Sequence, residues 1–100
     1  MRRFDPARSV RAADGVTVER LYGMVLLQHP RGACYALNEV GARVWELLAA
    51  PRTLEALVEA LAREYDAPRD ALRRDVAEFL GWLYREGFLE ADPVPKASGA

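Results

Sequence analysis

The chain has 100 residues, 51% of them hydrophobic and 29% charged, and carries a formal net charge of −1. A chain of this size forms one core, and its composition is that of a globular domain rather than a disordered segment. Its unbroken apolar runs stop at four or five residues, against the roughly 18–20 that a membrane span needs. The near-neutral charge argues against nonspecific affinity for nucleic acid, which draws on a basic footprint. With one cysteine no internal disulfide can close, so a cytoplasmic protein held by packing alone is expected.

Residues 1–8 hold Arg2, Arg3, Asp5, Pro6 and Arg8 and read as a flexible arm. Residues 9–91 form the single expected domain, and residues 92–100, without core-forming side chains, a disordered tail. Inside the domain, Asp14-Gly15 is a strong hairpin dipeptide, with 9–13 as a possible strand before it. Val16-Thr17-Val18 is β-branched, as a strand prefers. Tyr22-Gly23 reads as a break or bulge ahead of the apolar run Met24-Val25-Leu26-Leu27. His29-Pro30-Arg31-Gly32 has turn chemistry, with Pro second and Gly fourth, so strands 24–28 and 33–37 should pair across it.

The remainder is helical. Asn38 suits an N-cap for a stripe of Val40, Val44, Leu47 and Leu48, which Pro51 ends. Trp45 falls one position off that stripe and reads as a flank or interface residue. Thr53 caps a second helix with Leu54, Leu57, Val58 and Leu61 on one face. Pro68 and Asp70 suit the start of a third, whose stripe is Leu72, Val76, Phe79, Leu80 and Leu83. Gly87 supplies a left-handed cap after it, and Phe88 can fold back on Leu83. The expected class is α+β: a three-stranded antiparallel sheet followed by three helices, like a winged helix-turn-helix.

Such a fold often meets DNA, but its third helix sets Arg69, Arg73, Arg74 and Arg85 against Asp70, Asp75, Glu78 and Glu86. Those charges cancel, and the helix has no Asn or Gln to read adenine. A DNA-binding regulator is therefore the weaker reading, and no nucleic-acid partner is expected. Catalysis has little support. Cys34 and His29 are the one nucleophile-and-base pair on offer, and they lack an orienting third group and an oxyanion site. One Cys and one His do not make a zinc site, and there is no phosphate-binding glycine loop. Neither catalytic residue, metal nor cofactor is expected.

The run Gly32-Ala33-Cys34-Tyr35-Ala36-Leu37-Asn38, followed by Glu39-Val40-Gly41, resembles the PqqD-like domains, or RiPP recognition elements. Thr53-Leu54, Tyr65-Asp66, Asp75-Val76, Phe79-Leu80 and Gly87-Phe88-Leu89 extend the resemblance over residues 16–90. From Gly41-Ala42-Arg43-Val44-Trp45 and the short length, the chain looks most like the stand-alone proteins of lasso-peptide clusters. The resemblance implies a non-catalytic adaptor. It would bind the leader of a ribosomally made precursor peptide and present it to a leader peptidase and a macrocyclase. A related role beside a radical enzyme of cofactor maturation is the alternative within the family.

In that family the leader adds antiparallel to the last strand of the hairpin and lies against the third helix. Carried over, the strand side of the site is Ala33, Cys34, Tyr35, Ala36 and Leu37. The helix side is Arg73, Arg74, Val76, Ala77, Leu80, Leu83 and Tyr84, with Asp75 among the rim charges. Val76, Phe79, Leu80 and Leu83 have a competing use as core, and Ala77 and Tyr84 flank that stripe. Trp82 and Arg85, expected on the far side of the helix, would suit docking of a partner enzyme.

Overall fold

The computed structural model of the chain describes residues 4–91. Residues 1–3 of the expected arm and the whole expected tail, 92–100, lie outside the described residues. The order is β1 (Val10–Ala12), β2 (Thr17–Leu21), β3 (Met24–Gln28), β4 (Cys34–Leu37), α1 (Glu39–Leu47), α2 (Leu54–Glu64), α3 (Arg69–Arg85) and β5 (Leu89–Ala91). An antiparallel meander β2-β3-β4 and three helices match the expected α+β class.

Two turns differ from the sequence reading. Asp14-Gly15 redirects the chain, with Gly15 at φ 86°, but joins no paired strands. The backbone of β1 is taken instead by β5, in a separate two-stranded sheet, and by a bridge from Val10 to Arg52. The hairpin turn is Tyr22-Gly23. Leu21 pairs with Met24, so these two residues are the entire loop, and both have positive φ, 52° and 79°. A two-residue type I′ turn demands that geometry, and tyrosine is an unusual occupant of it. The third turn is as expected, closed by the Gly32 N–H donating to His29 O at 2.8 Å.

The helix ends follow their capping chemistry. The Asn38 side chain accepts from Gly41 N at 2.8 Å, and Thr53 Oγ1 accepts from Ala56 N at 3.1 Å. At the end of α3, Phe88 N donates to Leu83 O and Gly87 N to Tyr84 O, at 2.9 and 3.2 Å. With Gly87 at φ 86° this is a Schellman cap, and it turns the chain into β5.

One core runs between sheet and helices. Leu27 and Leu37 from the meander meet Leu48 of the α1–α2 turn, Leu57 and Leu61 of α2, and Leu80 and Leu83 of α3. Trp45, read as a flank residue, belongs to that core at 8% exposure. Across the surface, Arg20 of β2 reaches Glu46 at 2.9 Å, and Arg43 bridges Glu46 at 3.2 Å and Glu64 of α2 at 2.7 Å. The guanidiniums of Arg20 and then Arg43 hold Glu46 below the usual carboxylate range; Arg43 does the same for Glu64.

Two stability measurements test this account. Tyr22 is fully exposed, so Tyr22→Asn loses no packing and relieves the left-handed backbone. It should stabilise the fold by about 0.5–1 kcal/mol in urea denaturation. Glu46 and Glu64 are depressed in the folded state, so their contribution is complete above about 4.5 and disappears as pH falls through their folded values. The urea midpoint should therefore drop through that acid window, and Glu46→Gln should flatten the drop.

Candidate functional site: an open strand edge over a trough

Register decides what β4 offers. Val25 pairs with Leu37, and Leu27 with Tyr35. The His29 N–H donates to Ala33 O at 2.8 Å, which makes His29 and Ala33 a hydrogen-bonded pair. In an antiparallel ladder such pairs alternate, so Tyr35 and Leu37 also turn their backbone groups toward β3. Cys34 and Ala36 therefore turn theirs outward. Among the described residues no strand pairs with that outer edge. Two N–H and two C=O groups stand ready for another strand.

The side chains alternate accordingly. Leu37 enters the core at 2% exposure, while Tyr35 lies half-exposed against Trp82, ring centroids 4.0 Å apart. Trp82 stacks in turn on Phe88 at 6.0 Å, and Phe88 meets His29 edge-on at 5.6 Å. This aromatic series fixes the start of β4 against α3. His29 is committed within it: Nδ1 accepts from Arg31 N and Nε2 lies 3.1 Å from Gly87 O, which fits the tautomer protonated on Nε2. Both nitrogens of the only candidate base are thus engaged by main chain.

Between β4 and α3 lies a trough in two stretches. The first, about 550 Å³, is walled by Leu37 and Ala36 on one side and Leu72, Val76 and Phe79 on the other. Its far wall is α1, through Val40, Gly41 and Val44. A Cβ at Gly41 would sit 3.3 Å from Asn38 Oδ1 and 3.4 Å from Phe79 Cζ. Glycine there lets the Phe79 ring approach α1. The second stretch, about 1030 Å³, continues past Tyr35 and Ala77 to Gly81, Trp82 and Arg85. Tyr35, Asn38, Asp75 and Phe79 line both.

The residues expected at the site divide on this geometry. Tyr35, Ala36, Leu37, Val76 and Ala77 line the trough, and Cys34 supplies the open backbone beside it. Ala33 precedes the edge, exposed, with its carbonyl bonded to His29. Leu80 and Leu83 are wholly buried core. Arg73 turns to α2 and bonds Glu55, while Arg74 is exposed outside both stretches. Tyr84 lies in a separate depression with Arg8 and His29, its ring 6.2 Å from that of Phe4.

Trp82 and Arg85, expected on the far side of α3, are on the trough side. The helical stripe could not reveal this, because half-buried positions border the core on either flank. Met24, Asn38, Phe79 and Gly41 were also outside the expected strand-and-helix set. Phe79 packs close over Gly41 of α1, and that packing walls the trough.

An α+β domain with an open strand edge over a helix-lined trough has the build of a peptide-recognition element. Residues 23–89 match the family described as coenzyme PQQ synthesis protein D, PqqD, and the chain belongs to that family. It is similar to TbiB1, solved in complex with the TbiA(beta) leader peptide. The two are 30% identical over 84% of this chain and 99% of that one, with a TM-score of 0.73. The PqqD truncation of Methylobacterium extorquens PqqCD, a stand-alone RiPP recognition element, shares the fold at 21% identity, TM-score 0.74, over 87% of this chain and 94% of that one. So does a lasso peptide synthetase B1 complexed with the leader peptide, at 21% identity and TM-score 0.70, over 81% and 96%. No curated protein matches the sequence.

Asn38 links the end of β4 to α1, so its cap should matter to the trough wall. Asn38→Ala should destabilise the fold by about 1 kcal/mol. Amide exchange should speed up in the first turn of α1 before it does in α3.

Proposed function

We propose that this chain is a non-catalytic, cytoplasmic adaptor that binds the leader segment of a ribosomally made precursor peptide by strand addition. The observation that carries this reading is the outer edge of β4, which no strand among the described residues pairs, facing the trough along α3. An extended peptide added there would bond the outward groups of Cys34 and Ala36 and lay alternate side chains into the trough. Each backbone bond contributes about 0.5–1.5 kcal/mol net, partly offset by ordering the peptide. Backbone pairing is indifferent to sequence, so selectivity must come from the trough walls. That the similar TbiB1 was solved in complex with a leader peptide supports a leader as the ligand.

The bound leader would then be presented to the leader peptidase and macrocyclase of the pathway. The resemblance through Gly41-Ala42-Arg43-Val44-Trp45 favours a lasso-type precursor over a cofactor-maturation pathway. A DNA-reading use of α3 is disfavoured, because Arg69 and Arg73 are turned onto Glu59 and Glu55 of α2.

The decisive titration is fluorescence polarisation with the labelled leader of a precursor encoded beside the gene. Saturable binding with the peptide left intact is expected; no binding to any neighbouring leader would overturn the reading. Cys34→Pro removes an outward N–H from an edge strand, where proline is tolerated. It should weaken binding at least about tenfold with an unchanged circular-dichroism spectrum, while Cys34→Ala should bind like the parent.

A further inference from the structure

The second stretch of the trough carries charge of opposite sign, Asp75 where it joins the first stretch and Arg85 farther along α3. On α3, Arg69 and Arg73 are committed to Glu59 and Glu55. Asp75 lines both stretches of the trough, Glu78 and Arg85 the second. All three are exposed. No ion pair among the described residues uses these charges.

Their order along the strand edge is set by packing. Leu37 faces Val76 and Leu72 in the first stretch, whereas Tyr35 lies on Trp82. The chain directions of β4 and α3 are therefore opposed, with Asp75 beside the C-terminal end of β4 and Arg85 toward its start. A peptide added antiparallel, the sense in which β2, β3 and β4 already pair, enters at the Asp75 end and leaves at the Arg85 end. Ten helical residues separate the two charges, about 15 Å at 1.5 Å per residue. A strand rising about 3.4 Å per residue covers that in four to five residues. Trough-facing positions recur every second residue, which selects four. Between the charges lies the apolar wall of Val76, Phe79 and Trp82.

Resting on the proposed leader-binding role, we infer that the trough reads charge polarity. It selects an extended segment whose alternate side chains run basic, bulky apolar, acidic from N to C. Asp75, with Glu78 one turn on, meets the basic side chain, and Arg85 meets the acidic one. These are exposed pairs, so they discriminate between peptides and speed encounter more than they hold the complex.

The test uses two labelled peptides of equal composition, TVKTFTEVT and TVETFTKVT, each also competed against the neighbouring precursor's leader. The first should bind about tenfold tighter at low salt, since attraction at both ends is exchanged for repulsion. The preference should shrink near 1 M salt. It should invert in the double variant Asp75→Arg, Arg85→Asp, whose fold is checked by circular dichroism. Equal affinities, the reverse preference, or failure of both peptides while the leader binds would overturn the polarity rule and leave the adaptor role standing. Failure of the leader itself would overturn both.

Discussion

Burial of Leu37 beside Val25 is the constraint on which the rest depends. It fixes which face of β4 belongs to the core, and through the hydrogen-bonding alternation it also fixes which residues point their backbone outward. A slip of one residue would turn Leu37 to solvent and hand the open edge to Tyr35 and Leu37 in place of Cys34 and Ala36. An open edge is ordinarily an aggregation hazard. Here it is four residues long, bounded by the Pro30–Gly32 turn at one end and the Asn38 cap at the other. Its short length limits what can pair with it by accident.

The long helix α3 serves two neighbours with two flanks. Leu72, Val76, Leu80 and Leu83 enter the core, and Arg69 and Arg73 tie the helix to α2. The flank toward β4 carries Asp75, Phe79 and Trp82, which are not needed in full for burial and so remain available to a ligand. Gly41 allows this flank to approach α1, with Phe79 close over the helix. The trough is therefore formed by rigid, packed elements, which favours strand addition with little rearrangement.

The outer end of the trough is held by a second closure. Gly87 turns the chain out of α3, Phe88 drops into the core between Trp82 and His29, and β5 pairs with β1. Arg11 and Glu90, opposite each other in that pair, meet at 2.8 Å. His29 joins the hairpin turn to Gly87 O, so the start of β4 and the end of α3 are fixed to one another. A residue that looked like a catalytic candidate is a structural tie.

Local chemistry wrote much of the fold into the sequence. Asn38 and Thr53 as caps, Gly87 with Phe88 as a Schellman end, and the His29–Gly32 turn are each read from a few neighbouring residues. The helical stripes likewise named most of the core, and β4 as the candidate site's strand followed from the family resemblance. Contacts distant in the chain were illegible. β5 was unseen because its partner, β1, lies nearly eighty residues away, and that same pairing removed the hairpin expected at Asp14-Gly15. Tyr22 concealed the real hairpin turn, since its type disfavours the conformation it adopts. Trp45, Trp82 and Arg85 sit at the margins of helical stripes, where periodicity cannot choose a side. Packing against β4 and α2 made that choice, and with it decided which charges of α3 are consumed by the fold and which face the trough.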